Sequence, residues 1–168
     1  GLYSYGHNGY DAGRGWVRKE ADLTDDLDAV YQKLNGLRTA RPGSEEYVAR
    51  VCRDAIAEQK WSEGRKALRL IFVCGNEPAD QDRLVSLGSV ARSAVEKDVI
   101  INTIHCRSSG VVAGEVEGWR DFALKAEGRF AQIDMKKGAV AIATPQDGKI
   151  EELGTRLNRT YLAYGAKG

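Results

Sequence analysis

Leu68 to Pro78, reading Leu-Arg-Leu-Ile-Phe-Val-Cys-Gly-Asn-Glu-Pro, constrains the fold more than any other stretch of the chain. Its first half is a short β-branched and aromatic run, the pattern of a strand buried on both faces of a sheet. Gly75, Asn76, Glu77 and Pro78 then end the strand and open a polar loop. In an open α/β sheet, ligands bind at the carboxyl ends of such strands. Asn76 and Glu77 are therefore placed to take part in holding an ion or a partner.

The flanking segments alternate in period. Gly1 to His7 and Trp16 to Ala21 read as strands joined by the turn-rich Asn8-Gly9-Tyr10-Asp11-Ala12-Gly13, a short connection suited to antiparallel neighbours. A helix is expected from Thr24 or Asp25, with Leu27, Val30, Tyr31, Leu34 and Leu37 on one stripe, up to the break at Arg41-Pro42-Gly43. A second runs from Ser44, its cap, to about Gln59, burying Tyr47, Val48, Val51, Cys52, Ala55 and Ile56. After the Leu68–Cys74 strand comes a helix over about Gln81 to Glu96, carrying Leu84, Leu87, Val90, Ala91 and Val95. A strand over Asp98 to Cys106 follows, then a helix over Glu117 to Glu127 with Trp119, Phe122, Ala123 and Ala126 inward and Gly128 as its stop. Arg129 to Asp134 is the last strand. Thr144-Pro145 opens a final helix with Ile150, Leu153, Leu157 and Tyr161 on one side. Alternating strands and helices predict a parallel sheet wound by right-handed crossovers, with the antiparallel pair at its edge.

A chain of 168 residues is long enough to bury a core. The net charge of +1 gives no electrostatic case for nucleic acid or an anionic membrane, and no apolar run is long enough to span a bilayer. Cys52, Cys74 and Cys106 lack metal-ligand spacing and read as free buried thiols. His105 and Cys106 could pair as base and nucleophile of a hydrolase, but adjacent strand residues point to opposite faces. Asp25, Asp26 and Asp28 read as a solvated helix start. Neither a nucleophile elbow nor a phosphate-binding glycine loop occurs, so the chain is read as non-enzymatic.

Several stretches taken together resemble the von Willebrand factor type A (VWA) domain, and within it a bacterial group. Gly1-Leu2-Tyr3-Ser4-Tyr5 is similar to the family's second strand, and Leu23 to Val30 to the entry of the next helix. Gly43-Ser44-Glu45-Glu46 resembles its Gly-Thr loop, and Ile71 to Pro78 its central strand and metal loop. Ile100 to Cys106, Ile142 to Asp147 and Asn158 to Gly165 resemble the bacterial group in particular. The resemblance implies an α/β, Rossmann-like fold with a mostly parallel central sheet, helices on both faces and one antiparallel edge strand. It places the domain at 1–143, with a helical extension over 144–168.

The resemblance also implies a function. Members of the family bind proteins or other macromolecules, often through a magnesium ion or another divalent cation at the carboxyl edge of the sheet. An Asp-x-Ser-x-Ser loop, a threonine and an aspartate supply its oxygen ligands. Here the first of these does not occur, Ser44 stands for the threonine, and the aspartate is replaced by Gly75 in the family's usual register or by Asn76 in that of the bacterial group, the register preferred here. An amide oxygen can ligate but brings no charge. The implied binding residues are Ser44, Glu45, Asn76 and Glu77, with Ser44 and Asn76 as the metal ligands. A structural domain with no metal is the other reading. The resemblance favours a secreted or periplasmic setting. The chain opens in mid-strand and is expected to be a fragment without the family's first strand. That strand lies between the second and fourth, so Gly1–His7 and Leu68–Cys74 either close up and pair directly, the favoured expectation, or leave an open gap in an unstable fragment.

Overall fold

The antiparallel hairpin at the start forms as its turn residues dictate, pairing β1 (Leu2–Tyr5) with β2 (Val17–Ala21) in a two-stranded sheet. A second sheet holds three parallel strands in the order β3 (Arg69–Gly75), β4 (Val99–Arg107) and β5 (Phe130–Asp134). The computed structural model describes residues 1–38, 45–64, 67–107, 114–136 and 147–158. Contacts divide the chain into Gly1–Lys136, which holds both sheets, and Lys137–Gly168, where α5 spans Asp147–Asn158. The expected start of that last helix at Thr144-Pro145, and its Tyr161, lie outside the described residues.

Among the described residues the first unit holds four α-helices: α1 (Leu27–Gly36), α2 (Val48–Glu58), α3 (Leu87–Glu96) and α4 (Glu115–Lys125). Val99, Ile101, Thr103 and His105 alternate along β4 and face inward. They share a core with Val48, Val51 and Cys52 of α2, Val90 and Ala94 of α3, and Trp119 and Phe122 of α4. Thr103 Oγ1–H donates to the Trp119 carbonyl at 2.9 Å, tying α4 to the middle of β4.

β3 differs from the expectation of burial on both faces. Val73 is buried, but Leu70, Phe72 and Cys74 are exposed, so β3 alternates. Among the described residues β3 is also an edge strand, because β1 does not join it; the expected direct pairing does not form. The two strands are linked through Tyr5 instead. Its side chain reaches across to β3 and donates a hydrogen bond to the Cys74 carbonyl at 2.6 Å.

The helices are shorter than their apolar patterns. α3 begins at Leu87, not near Gln81, because Asp82 accepts from the Leu84 and Val85 N–H groups at 2.9 and 3.2 Å and holds a turn there. Leu84 is left exposed, and Ser86 caps the helix. α2 starts at Val48, four residues after the expected cap Ser44, which lies outside the described residues. α1 is capped by Asp26, not Thr24 or Asp25, and Leu27, Tyr31 and Leu34 of its expected inward stripe are exposed. At the end of α4 the left-handed residue is Glu127, with φ 57°, and not Gly128. Gly128 is needed for another reason: a Cβ there would lie 1.9 Å from the Ile101 carbonyl oxygen.

Candidate functional site

Two hydrogen bonds and one close approach shape the carboxyl end of β3. A Cβ on Gly75 would lie 2.6 Å from Tyr5 Oη and 2.8 Å from the Trp119 ring, so this position accepts no side chain. Just beyond, Trp119 Nε1–H donates to the Glu77 carbonyl at 2.9 Å. The loop after β3 is thus anchored from below by α4 and from the side by β1. Asn76 and Glu77, both exposed, are presented at its tip.

A third segment meets this loop. The residues ahead of α2 are not helical, and the Glu46 N–H donates to Gln81 Oε1 at 2.9 Å. The Glu46 carboxylate accepts from the Asn76 N–H, and its Cγ lies 2.8 Å from where a Gly6 Cβ would stand. One glutamate therefore joins the loop after β1, the loop after β3 and the entry to α2. Desolvation pushes its carboxyl above the ordinary value, the neighbouring Glu77 pushes it further, and the Asn76 N–H opposes both. Two carboxylates repelling each other at the carboxyl edge of a sheet, with an amide between them, make a place where a positive group is welcome.

The bed beneath this edge is rigid. Arg50 in the first turns of α2 makes a bidentate pair with Asp82, both bonds 2.8 Å long, and both residues are buried. The Arg50 guanidinium also stacks on the Tyr47 ring at 4.8 Å. Desolvation acts against the Asp82 carboxylate, yet the Arg50 bonds and the two backbone N–H groups outweigh it and hold Asp82 below its usual range. This pair fixes the 81–85 turn, and through Gln81 it fixes Glu46.

Of the residues singled out by sequence, the structure brings Asn76 and Glu77 to this edge. Glu45 is exposed, and its neighbour Glu46 is the one turned to Asn76. Ser44 lies outside the described residues. Glu46 and Tyr5 were not anticipated. Adjacent glutamates at a helix entry carry no signal of which one faces in, since that depends on where the helix begins. His105 and Cys106 alternate as expected, His105 buried and Cys106 half-buried. Cys52 is buried, but Cys74 is exposed, against the expectation of three buried thiols.

The donors at the edge are hard oxygens, the kind that suit magnesium or calcium, yet two carboxylates and an amide fall short of the six or so ligands such ions take. Among the described residues no group of three or more His, Cys, Asp or Glu side chains could hold a metal ion. These residues alone do not complete a cation site.

Neither protein-family profiles nor curated proteins match the chain in sequence. Solved structures do match it in fold. Two structures of proximal thread matrix protein 1 from the mussel byssus, one of them with a zinc-occupied MIDAS motif, superpose with a TM-score of 0.53 at 14% identity. The fold is VWA-like. The match covers 84% of this chain but 32% of the mussel protein, so the chain spans about a third of its neighbour's length. At that identity the likeness speaks for the fold alone. Within it, the Asn76 loop lies at the carboxyl edge of the parallel sheet, where ligands of open α/β sheets bind.

Proposed function

We propose that this chain is a non-enzymatic binding module of the VWA type, which recognises a protein or another macromolecule at the carboxyl edge formed by Glu46, Asn76 and Glu77. The observation that carries the reading is the convergence of three loops on Glu46, beside an exposed Asn76 and Glu77. Partially desolvated like charges at a rigid edge favour a cation or a basic group from a partner. The mussel protein with its zinc-occupied MIDAS motif supports an adhesion-type role by analogy, and its byssus matrix origin supports a setting outside the cytoplasm.

In this reading a divalent cation takes oxygen from Ser44 and Asn76, as the family resemblance implies, while Glu46 and Glu77 supply the negative charge that Asn76 lacks. Calorimetric titration of the chain and of Asn76→Asp and Glu46→Gln variants with magnesium chloride tests it. Stronger binding by Asn76→Asp and weaker binding by Glu46→Gln are expected, because a carboxylate is added in one and lost in the other. Equal affinities in all three proteins place the ion elsewhere. No binding, with no change in melting temperature, favours the metal-free structural domain.

A further inference from the structure

The turn after β1 carries chemistry that the candidate site does not use. It spans His7 to Tyr10 and is closed by the Tyr10 N–H, which donates to the His7 carbonyl at 2.9 Å. Its two central residues, Asn8 and Gly9, are both exposed. In an Asn-Gly pair the backbone nitrogen of glycine can attack the asparagine side-chain amide and close a five-membered ring. Glycine has no Cβ to hinder that closure and leaves the backbone free to rotate into it. Holding the two reacting groups in one chain makes the step intramolecular.

The pair occurs twice, at Asn8-Gly9 and at Asn35-Gly36. At the first, a base already meets the attacking nitrogen: the Gly9 N–H donates to His7 Nδ1 at 2.9 Å. A ring nitrogen that accepts is unprotonated, so the proton of the neutral imidazole sits on Nε2. The ring is braced where it stands. It stacks on Tyr10 at 4.8 Å with the planes 22° apart, and the Arg18 guanidinium lies 4.2 Å from the centre of the Tyr10 ring. Ser4 Oγ–H donates to Tyr10 Oη at 2.9 Å. A Cβ on Gly9 would lie 3.0 Å from both Nδ1 and Cε1 of His7, so the close approach of imidazole and amide depends on glycine. Asn35 and Gly36, by contrast, lie within α1, whose repeating backbone bonds resist the rotation that ring closure needs.

We propose that Asn8 is a site of self-modification, converted to aspartate and isoaspartate with His7 as the base and water as the co-reactant. The Gly9 nitrogen bonds to Asn8 Cγ while His7 Nδ1 takes its proton. The Cγ–Nδ2 bond breaks, and the imidazole returns the proton to the departing ammonia. Water then opens the ring. Attack at Cγ gives aspartate, and attack at the Asn8 backbone carbonyl carbon gives isoaspartate, in which the chain runs through the former side chain. The net change is one amide and one water for one carboxyl and one ammonia. Either product places a carboxylate two residues from Gly6, where the loop after β1 meets Glu46. The reaction needs no cation and does not rest on the binding edge described above.

The test incubates the full 168-residue chain at neutral pH and follows both Asn-Gly pairs by peptide mapping and mass spectrometry, with aspartate and isoaspartate separated by chromatography. Asn8 is expected to convert about tenfold faster than Asn35. His7→Ala slows Asn8 by about tenfold, less than an enclosed base supplies because solvent also takes the proton. Imidazole added to the buffer restores part of that loss, which a merely structural histidine would not allow. In denaturing urea the contact between His7 and Gly9 is lost, and the effect of His7→Ala disappears. Three results overturn the proposal: equal conversion of Asn8 and Asn35 in the parent chain, a His7→Ala rate equal to or above the parent's, or a His7→Ala effect that persists in urea. A faster variant identifies His7 as a brace of the turn, and persistence in urea identifies an effect of neighbouring sequence without the fold.

Discussion

Arg50 and Asp82 form a buried charged pair that sits directly under the candidate site. Breaking such a pair leaves one uncompensated charge in the interior, and Arg50→Leu is expected to destabilise the chain by about 3–5 kcal/mol in urea denaturation. The two carboxyls near it respond to pH in opposite directions. Asp82 is held below its ordinary value of 3.8, so its contribution is complete above that value and is lost as pH falls through the lower folded value. Glu46 is raised above its ordinary value of 4.5, so the folded state holds the proton more tightly than the unfolded chain. Its contribution is complete below that value and is lost as pH rises through the raised one. Glu46→Gln should therefore melt higher than the parent protein at pH 7, with the difference shrinking towards pH 4. A variant that melts lower at pH 7 means the Glu46 carboxylate is better satisfied than its surroundings indicate.

At the scale of elements, α3 and α4 end alike, with Asp98 and Glu127 in the left-handed region at φ 54° and 57°. Residues other than glycine pay about 1 kcal/mol or more for that conformation. Glu127→Gly is expected to stabilise the chain by about 1 kcal/mol, read from the midpoint of urea unfolding. Gly128→Ala goes the other way by several kcal/mol, since its Cβ meets the Ile101 carbonyl. The apolar periodicity that located α2, α3 and α4 was legible because their stripes do face the core: Val48, Val51, Val90, Trp119 and Phe122 are all buried. Their starts were not legible. Asp82 competes for backbone N–H groups that an earlier helix start would have used, and apolar spacing does not report that competition. The stripe of α1 misled for a different reason, because periodicity says a face is apolar without saying what it packs against. Leu27, at 73% exposure, is expected to tolerate replacement by lysine with a stability change within about 0.5 kcal/mol.

At the scale of the whole molecule, the α/β architecture followed from the strand–helix alternation, and the position of Asn76 and Glu77 followed from the rule that ligands gather at carboxyl ends of parallel strands. The partnership of these residues with Glu46 did not follow. It depends on the Gln81 hydrogen bond, the Arg50–Asp82 pair and the room left by Gly6, contacts that bring together residues far apart in sequence. The separation of β1 from β3 was not legible in either strand's own residues, because the sequence of a strand records its burial and not its neighbours; only the family resemblance, which places a strand between them, pointed to it. The proposed binding surface is the edge formed by Glu46, Asn76 and Glu77. Backbone amide chemical shifts recorded while magnesium chloride is added test it most directly. The account predicts saturable shifts at Glu46, Asn76 and Glu77 that share one affinity and are lost together in Glu46→Gln. Shifts that saturate elsewhere on the chain while these three amides stay still would contradict it.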